Sequence, residues 1–310
     1  MRKIYRLLLA TTIALWMPSL MIAQNSPTQK PPAAELANTP GVTAFVQAVA
    51  KRSNLGTVYN EGLGIGYNFT NHVGADIGLS LYTVQSPYST VISRDWRWTT
   101  LLGDPFVDVR YTTKRYGLDI ASVLTGSIPA ASPEKVYSTG RVGVDWYNHI
   151  EAHYKGLAPF LNFGAANETV DRYVLPRPYN IARPYQILGV NSNFEGGASY
   201  TFLRHYSIGA SAYAIVPSGS QKVFSRLVSP DSAVAGDASH NRVWNSAFET
   251  IGDSRLARDN GYSGWVDVTP IKNWKVQVGY TYSVHYAMGF GFVMLRFDGT
   301  SLMRYLTATQ

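Results

Sequence analysis

The chain has no cysteine. Disulfides, thiolate nucleophiles, thiolate metal sites and the lipid-modified cysteine of a bacterial lipoprotein are therefore excluded together. Charge is also scarce: Asp, Glu, Lys and Arg make up 15% of the 310 residues, against about 25% in an ordinary soluble protein. The formal charge of +7 falls to +4 when Arg2, Lys3 and Arg6 are set aside with the N-terminal segment. No basic run with interleaved aromatics offers a nucleic-acid surface, so nucleic acid is not an expected partner. Catalytic signatures are thin as well. His149, His153, His205, His240 and His285 lack a metal-ligand spacing such as His-Glu-x-x-His. Gly62-Leu63-Gly64-Ile65-Gly66 superficially suggests a phosphate-binding loop, but it sits inside an alternating run with no helix after it. Small residues at a close strand or lumen contact explain it better. Asn68-Phe69-Thr70 and Asn167-Glu168-Thr169 match glycosylation sequons, which carry little weight in a bacterial secreted barrel. No cofactor or metal is expected.

What the chain does contain is aromatic residues, 13% of the total with 21 tyrosines, and long runs of period two. Trp274-Lys275-Val276-Gln277-Val278-Gly279-Tyr280-Thr281-Tyr282-Ser283-Val284 alternates apolar with polar or small residues, and similar runs recur along most of the chain. The apolar side is rich in aromatics and the polar side carries ionisable groups. That is the pattern of a membrane-spanning β-barrel, with apolar residues facing lipid and polar residues facing a lumen. The predicted fold class is all-β: a transmembrane antiparallel up-and-down β-barrel of about twelve strands.

Residues 1–23 read as a signal peptide. Arg2, Lys3 and Arg6 precede a charge-free stretch from Leu7 to Ala23, shorter than the ~20 residues of a spanning helix and interrupted by Pro18. Residues 24–40, with four prolines and almost nothing large and apolar, read as a flexible periplasmic linker. Residues 41–297 form the barrel, and 298–310 a C-terminal extension. The strand candidates are roughly 42–52, 57–69, 73–84, 104–112, 116–126, 139–153, 157–168, 186–203, 206–220, 261–270, 274–285 and 288–297. The first of these also fits a short amphipathic helix.

Connections alternate in length. Thr70-Asn71-His72, Thr113-Lys114-Arg115, Tyr154-Lys155-Gly156, Arg204-His205 and Ile271-Lys272-Asn273 are tight turns, and longer pieces near 85–103, 127–138, 169–185 and 217–261 lie between them. Short periplasmic turns and long outer loops characterise bacterial outer-membrane barrels. An even strand count puts both termini on the periplasmic side. Tyr67, Phe69, Tyr111, Tyr116, Phe202, Tyr206, Trp274 and Phe297 share outward parity and lie beside a tight turn or the last strand end, forming a girdle at one membrane interface. Outer-membrane lipids are thus an expected partner. Lys114, Arg115, Lys155, Arg204 and Lys272 lie on the same turns and read equally well as solvated charge or as headgroup contacts.

Inward parity collects Asp76, Asp108, Arg110, Asp119, Arg141, Asp145, His149, Glu195, Asp267, Lys275 and Arg296 as lumen-lining residues. Ionisable groups at membrane depth face water or each other. A turn centred near Lys114 sets Arg110 opposite or diagonal to Asp119, and the turn at Lys272 brings Lys275 within reach of Asp267. These groups form either an internal network that stiffens the barrel or the wall of a narrow aqueous channel; both hold if the network lines the channel. The 217–261 stretch is long enough to be functional. It is expected to cover or enter the outer mouth, with a short helix near 245–257.

A barrel lipase needs a Ser and a neighbouring His on the lipid face. The strand histidines His149 and His285 carry inward parity and no outward His–Ser cluster is visible, so the chain is not expected to be an enzyme. Gly103-Asp104-Pro105-Phe106-Val107-Asp108-Val109-Arg110-Tyr111, Leu124-Thr125-Gly126-Ser127-Ile128-Pro129 and Ser138-Thr139-Gly140-Arg141 resemble the outer-membrane transporters grouped with the phenol-degradation meta-pathway (MetA-pathway) proteins. The likeness is strongest over 100–150. It implies a β-barrel channel for small or hydrophobic compounds and identifies no substrate. Barrels of this kind commonly end on an aromatic read by the outer-membrane assembly machinery, whereas Phe297 is followed by thirteen residues. Either Phe297 acts as an internal signal or the last strand lies later. The expected function is a channel in the bacterial outer membrane for passive diffusion of a small solute, with a closed structural or surface-binding barrel as the alternative. The mature protein should migrate faster unheated than boiled on a denaturing gel, and a single heat-independent band would contradict the closed barrel.

Overall fold

A computed structural model describes residues 40–53, 56–87, 96–129, 142–175, 181–202, 205–219, 221–226, 247–252, 258–270, 273–285 and 288–300. The expected signal peptide, nearly all of the linker, most of the C-terminal extension and Arg141 lie outside them. The elements are strands β1 (Gly41–Ser53), β2 (Gly56–Asn68), β3 (Val73–Pro87), β4 (Trp96–Leu102), β5 (Phe106–Arg115), β6 (Leu118–Ser127), β7 (Gly143–Ala152), β8 (Leu157–Leu175), β9 (Ile181–Phe202), β10 (Tyr206–Pro217), β11 (Gln221–Arg226), β12 (Ala247–Gly252), β13 (Asp259–Val268), β14 (Trp274–Ser283) and β15 (Met288–Asp298). The first candidate is therefore a strand and not a helix.

All pairings are antiparallel, and the sheet closes where β1 meets β15 in register from Phe45↔Asp298 to Arg52↔Gly291. Twelve staves form the wall. β4 and β5 together make one of them, because β4 pairs with the upper part of β3 and β5 with its lower part. Between Gly78↔Phe106 and Leu81↔Leu102, β3 supplies two residues and its partner supplies Gly103, Asp104 and Pro105, a bulge with one extra residue. Pro105, which has no N–H to donate, sits where the ladder is already interrupted. Gly103 N still donates to Ser80 O (2.7 Å), and Ile128 N to Pro105 O (3.0 Å).

The alternation of the sequence becomes two faces. In β13 the buried residues are Asp259, Gly261, Ser263, Trp265 and Asp267, while Tyr262 and Val266 between them are exposed. Ile77, Leu63, Val109 and Val278 are about half or more exposed, whereas Thr281 and Ser283 show no exposed surface. Apolar surface that a soluble protein would bury is thus outside, as lipid requires. The expected girdle is present: Tyr67, Phe69, Tyr111, Tyr116, Phe202, Tyr206 and Trp274 are exposed. Phe202 stacks on Tyr206 at 6.2 Å and Trp274 leans on Phe297 at 4.8 Å.

Turn geometry corrects one register. Tyr116 and Gly117 both have positive φ (54° and 76°), as do Lys155 and Gly156 (47° and 86°), the pattern of two-residue hairpins whose twist matches the strands. The first of these turns therefore centres at Tyr116-Gly117, two residues beyond the expected site. Lys114 consequently faces Asp119, and Arg110 faces Val123. Parity survives a shift of two; the identity of the partner does not.

The long connections are partly strand. β8 and β9 pair as far as Leu175↔Ile181. β11 continues along β9 from Lys222↔Leu188 and pairs with β12. The helix expected near 245–257 is thus replaced over Ala247–Gly252 by β12. Residues 253–257 and the tip between β11 and β12 lie outside the described residues. No helix is long and apolar enough to cross a membrane among them.

Glycine has a specific place in this wall. Phe45, Phe106, Phe160, Tyr213, Trp265 and Phe292 each lie directly opposite a glycine on the next strand: Gly64, Gly78, Gly197, Gly261, Gly209 and Gly279, respectively. In every pair a Cβ on the glycine would run into the ring. The rings lie over bare backbone, covering it from water. Gly64 thus belongs to the wall, and the glycine-rich run of β2 is strand throughout. Gly64→Val should force the Phe45 ring off its seat and cost about 1–3 kcal/mol, visible as a lower urea midpoint of the folded band; an unchanged midpoint would contradict the packing.

Candidate functional site

The interior is built from the inward parity of each strand. Of the residues expected there, Asp76, Asp108, Arg110, His149, Glu195, Asp267 and Arg296 are buried, and Asp119, Asp145 and Lys275 are half-buried. Arg141 lies outside the described residues. His285 is not in a strand at all, but in the exposed turn after β14.

Arg110 is held by an ion pair to Asp76 on β3, Nη1 to Oδ2 at 3.0 Å, and not by Asp119 on β6. Its Nη2 donates to Asn68 Oδ1 at 3.0 Å. Thr43 Oγ1 donates to the other oxygen of Asp76 at 2.8 Å, so both oxygens of a carboxylate with almost no exposure are satisfied, as burial demands. Asn68, half of a glycosylation sequon, is buried in this contact. Thr125 Oγ1 donates to Asp108, and Arg296 lies opposite Lys275 and Gln47 in the ladder. This cluster stands near the short-turn end of β1, β2, β3, β5 and β15.

Across the lumen a second chain of contacts runs inward from the same end. Lys114 Nζ, on the exposed rim, meets Asp119 Oδ2 at 2.9 Å. His153 Nε2 lies 3.0 Å from Asp119 and 3.3 Å from Glu151, and Glu151 lies 3.4 Å from His149 Nε2. His149 Nδ1 donates to Asn162 Oδ1 at 2.6 Å with its ring stacked on Phe160 at 6.0 Å. Asn162 Nδ2 donates to Glu195 Oε2 at 2.9 Å, and Ser211 Oγ donates to Glu195 Oε1 at 2.6 Å. The buried carboxylate of Glu195 is thus satisfied by neutral donors on β8 and β10.

Two smaller groups complete the wall. Lys275 Nζ is 3.6 Å from Asp267 Oδ2, the pair expected from the turn between their strands, and Ser207 Oγ reaches the same oxygen at 3.3 Å. Towards the long-loop end, Ser283 Oγ and Tyr213 OH donate to Asp259 at 2.6 and 3.3 Å, and the Ser263 and Thr281 hydroxyls bond at 2.7 Å. Asn162, Asn68, Ser211, Thr43, Glu151 and Asp259 escaped the sequence reading. Amides and hydroxyls are as common in turns as in lumens, Glu151 sits near a strand end, and Asp259 falls within the long 217–261 connection. No group of His, Asp and Glu suited to holding a metal occurs among the described residues.

No family model and no curated protein matches the sequence. The fold is similar to solved bacterial barrels. The COG4313 outer-membrane channel from Pseudomonas putida F1 superposes with a TM-score of 0.53 at 10% identity, covering 87% of this chain and 99% of that one. The KdgM porin gives 0.44 at 11% identity over 82% and 98%, and the NanC porin 0.42 at 9% over 82% and 98%. The first likeness shows a shared fold.

Removing one partner of a buried ion pair strands the other, a loss of about 3–5 kcal/mol. Arg110→Ala should therefore lower the urea midpoint of the folded barrel sharply, whereas Asp76→Leu with Arg110→Met should lower it much less. Equal losses in the single and double variants would show that the pair is not what matters.

Proposed function

We propose that the chain is an outer-membrane channel through which small solutes diffuse passively. The carrying observation is a closed ring of strands with apolar side chains outside and ionisable, hydrogen-bonding side chains inside, which is how a wall separates lipid from water. Twelve staves give a lumen wider than the filled eight-stranded barrel and narrower than the sixteen to eighteen strands of general porins. The similar solved structures include an outer-membrane channel and two porins, in keeping with that use of the fold. The short-turn end faces the periplasm, and the sheet of β8, β9, β11 and β12 extends beyond the opposite rim. Residues 1–23 act as export signal and 24–40 as periplasmic linker. Phe297, on the girdle, offers an aromatic to the assembly machinery. No chemistry is assigned to the interior groups beyond contact with the solute.

The second reading, a closed barrel that works through its outer strands and loops, is favoured by one observation: Thr43, Asn191, Thr281 and Ser283 have essentially no exposed surface, so neighbouring side chains cover the small residues of the inner wall. Purified protein added to planar lipid bilayers separates the two. Stepwise conductance increments are expected for the channel; their absence at every voltage would leave the closed barrel.

A further inference from the structure

The charges of the interior are segregated. Over residues 118–127, 143–167, 189–202 and 206–217 of β6 to β10, the inward charges other than histidine are all acidic: Asp119, Asp145, Glu151 and Glu195. The basic groups among them are histidines, and Lys114 stands out on the rim. The inward cations Lys51, Arg110, Lys275 and Arg296 all lie on the opposite wall, interleaved with Asp76, Asp108, Asp259, Asp267 and Asp298. One side of the lumen is therefore nearly balanced and the other is an acidic stripe. In a narrow path with low-dielectric walls, fixed charge of one sign raises the local concentration of the opposite ion and repels its own kind.

A second observation points the same way. Several buried side-chain oxygens on inward faces have no donor: Asn191 Oδ1 and Asn193 Oδ1 on β9, Gln277 Oε1 on β14, Gln47 Oε1 on β1 and Asp267 Oδ1 on β13. Asn191 has no exposed surface, and its amide cannot be turned round without losing the bond from Nδ2 to Gly189 O at 2.8 Å. A buried acceptor without a donor is costly. Asn191, Asn193 and Glu195 follow one another at alternate positions on one face of β9, so a row of spare acceptors leads up from the acidic stripe. Acceptors without donors suit species that bring positive charge or N–H groups.

We infer that the lumen selects cations over anions, and that Glu195 and Glu151 on the β6–β9 wall determine this preference. The inference rests on the channel reading above. It is tested by the reversal potential of the full-length mature protein in planar bilayers under a KCl gradient. One unit of fixed charge at 4 Å, even at the dielectric of water, raises the local concentration of a cation about fivefold and lowers that of an anion by the same factor, so potassium should permeate about thirty times more readily than chloride at low ionic strength. Glu151→Gln with Glu195→Gln keeps the shape of both side chains and should bring the ratio towards one. Glu61→Gln, which removes an exposed acid from the outward face of β2, should leave it unchanged. If the double variant loses its heat-modifiable band, Glu151→Gln alone carries the test, with a smaller shift of the same sign. A conducting wild type that prefers chloride or shows no preference overturns the inference and leaves the channel standing. A preference that survives neutralisation overturns the roles of the two glutamates. Absence of conductance in the wild type overturns the channel reading and this inference together.

Discussion

The structure depends on the seam between β1 and β15. In lipid there is no water to take up a free N–H or C=O, and each one left open costs several kcal/mol. An open sheet of these strands would have two unsatisfied edges in the hydrocarbon. The eight residue pairs from Phe45↔Asp298 to Arg52↔Gly291 remove both edges at once, joining residues some 250 positions apart. Closure fixes which side of every strand is inside, and at membrane depth that is the side on which charge costs least.

Inside, two packing devices share the space. Hydrogen-bonded groups such as Thr43–Asp76–Arg110–Asn68 satisfy polar atoms in pairs, and aromatic rings lie over glycines on the neighbouring strand. The second device explains why a chain with 27 glycines makes a regular sheet although glycine weakens strands. Each ring supplies the cover that the glycine lacks, and each glycine gives the ring room to lie against the wall. Phe160 joins the two systems: it covers Gly197, stacks with His149 and approaches Trp265 at 6.1 Å.

The membrane-embedded part was legible because lipid enforces a strict alternation. Strand existence, outward aromatics and the inward parity of Asp76, Arg110, His149 and Glu195 all follow from period two. Legibility fails where that enforcement ends. Lys114 and Arg115 look like turn residues, yet the positive φ falls on Tyr116, a bulky side chain that propensity does not place there. The two-residue error sends Arg110 to the wrong partner, since parity names a face but not a neighbour. β12 is defined by its pairing with β11 across the connection, a relation that the pattern of residues 247–252 does not carry, so that stretch reads as a helix. Asn162 and Ser211 lay hidden because their role comes from standing beside Glu195 on adjacent strands, a relation set by register.

The bulge at Gly103-Asp104-Pro105 inverts phase within one stave. Phe106 faces inward opposite Gly78, while Leu102, four residues earlier, faces outward with Leu81; in an uninterrupted strand these two positions would share a side. Everything below the bulge is committed to the interior pattern of Phe106, Asp108 and Arg110, and everything above it runs on its own count. Loss of a single codon at this point would erase the bulge and leave β4 and β5 in their present registers, each keeping its faces. A change of one residue in chain length is therefore absorbed at this joint, while the span that holds the barrel in the bilayer keeps its frame.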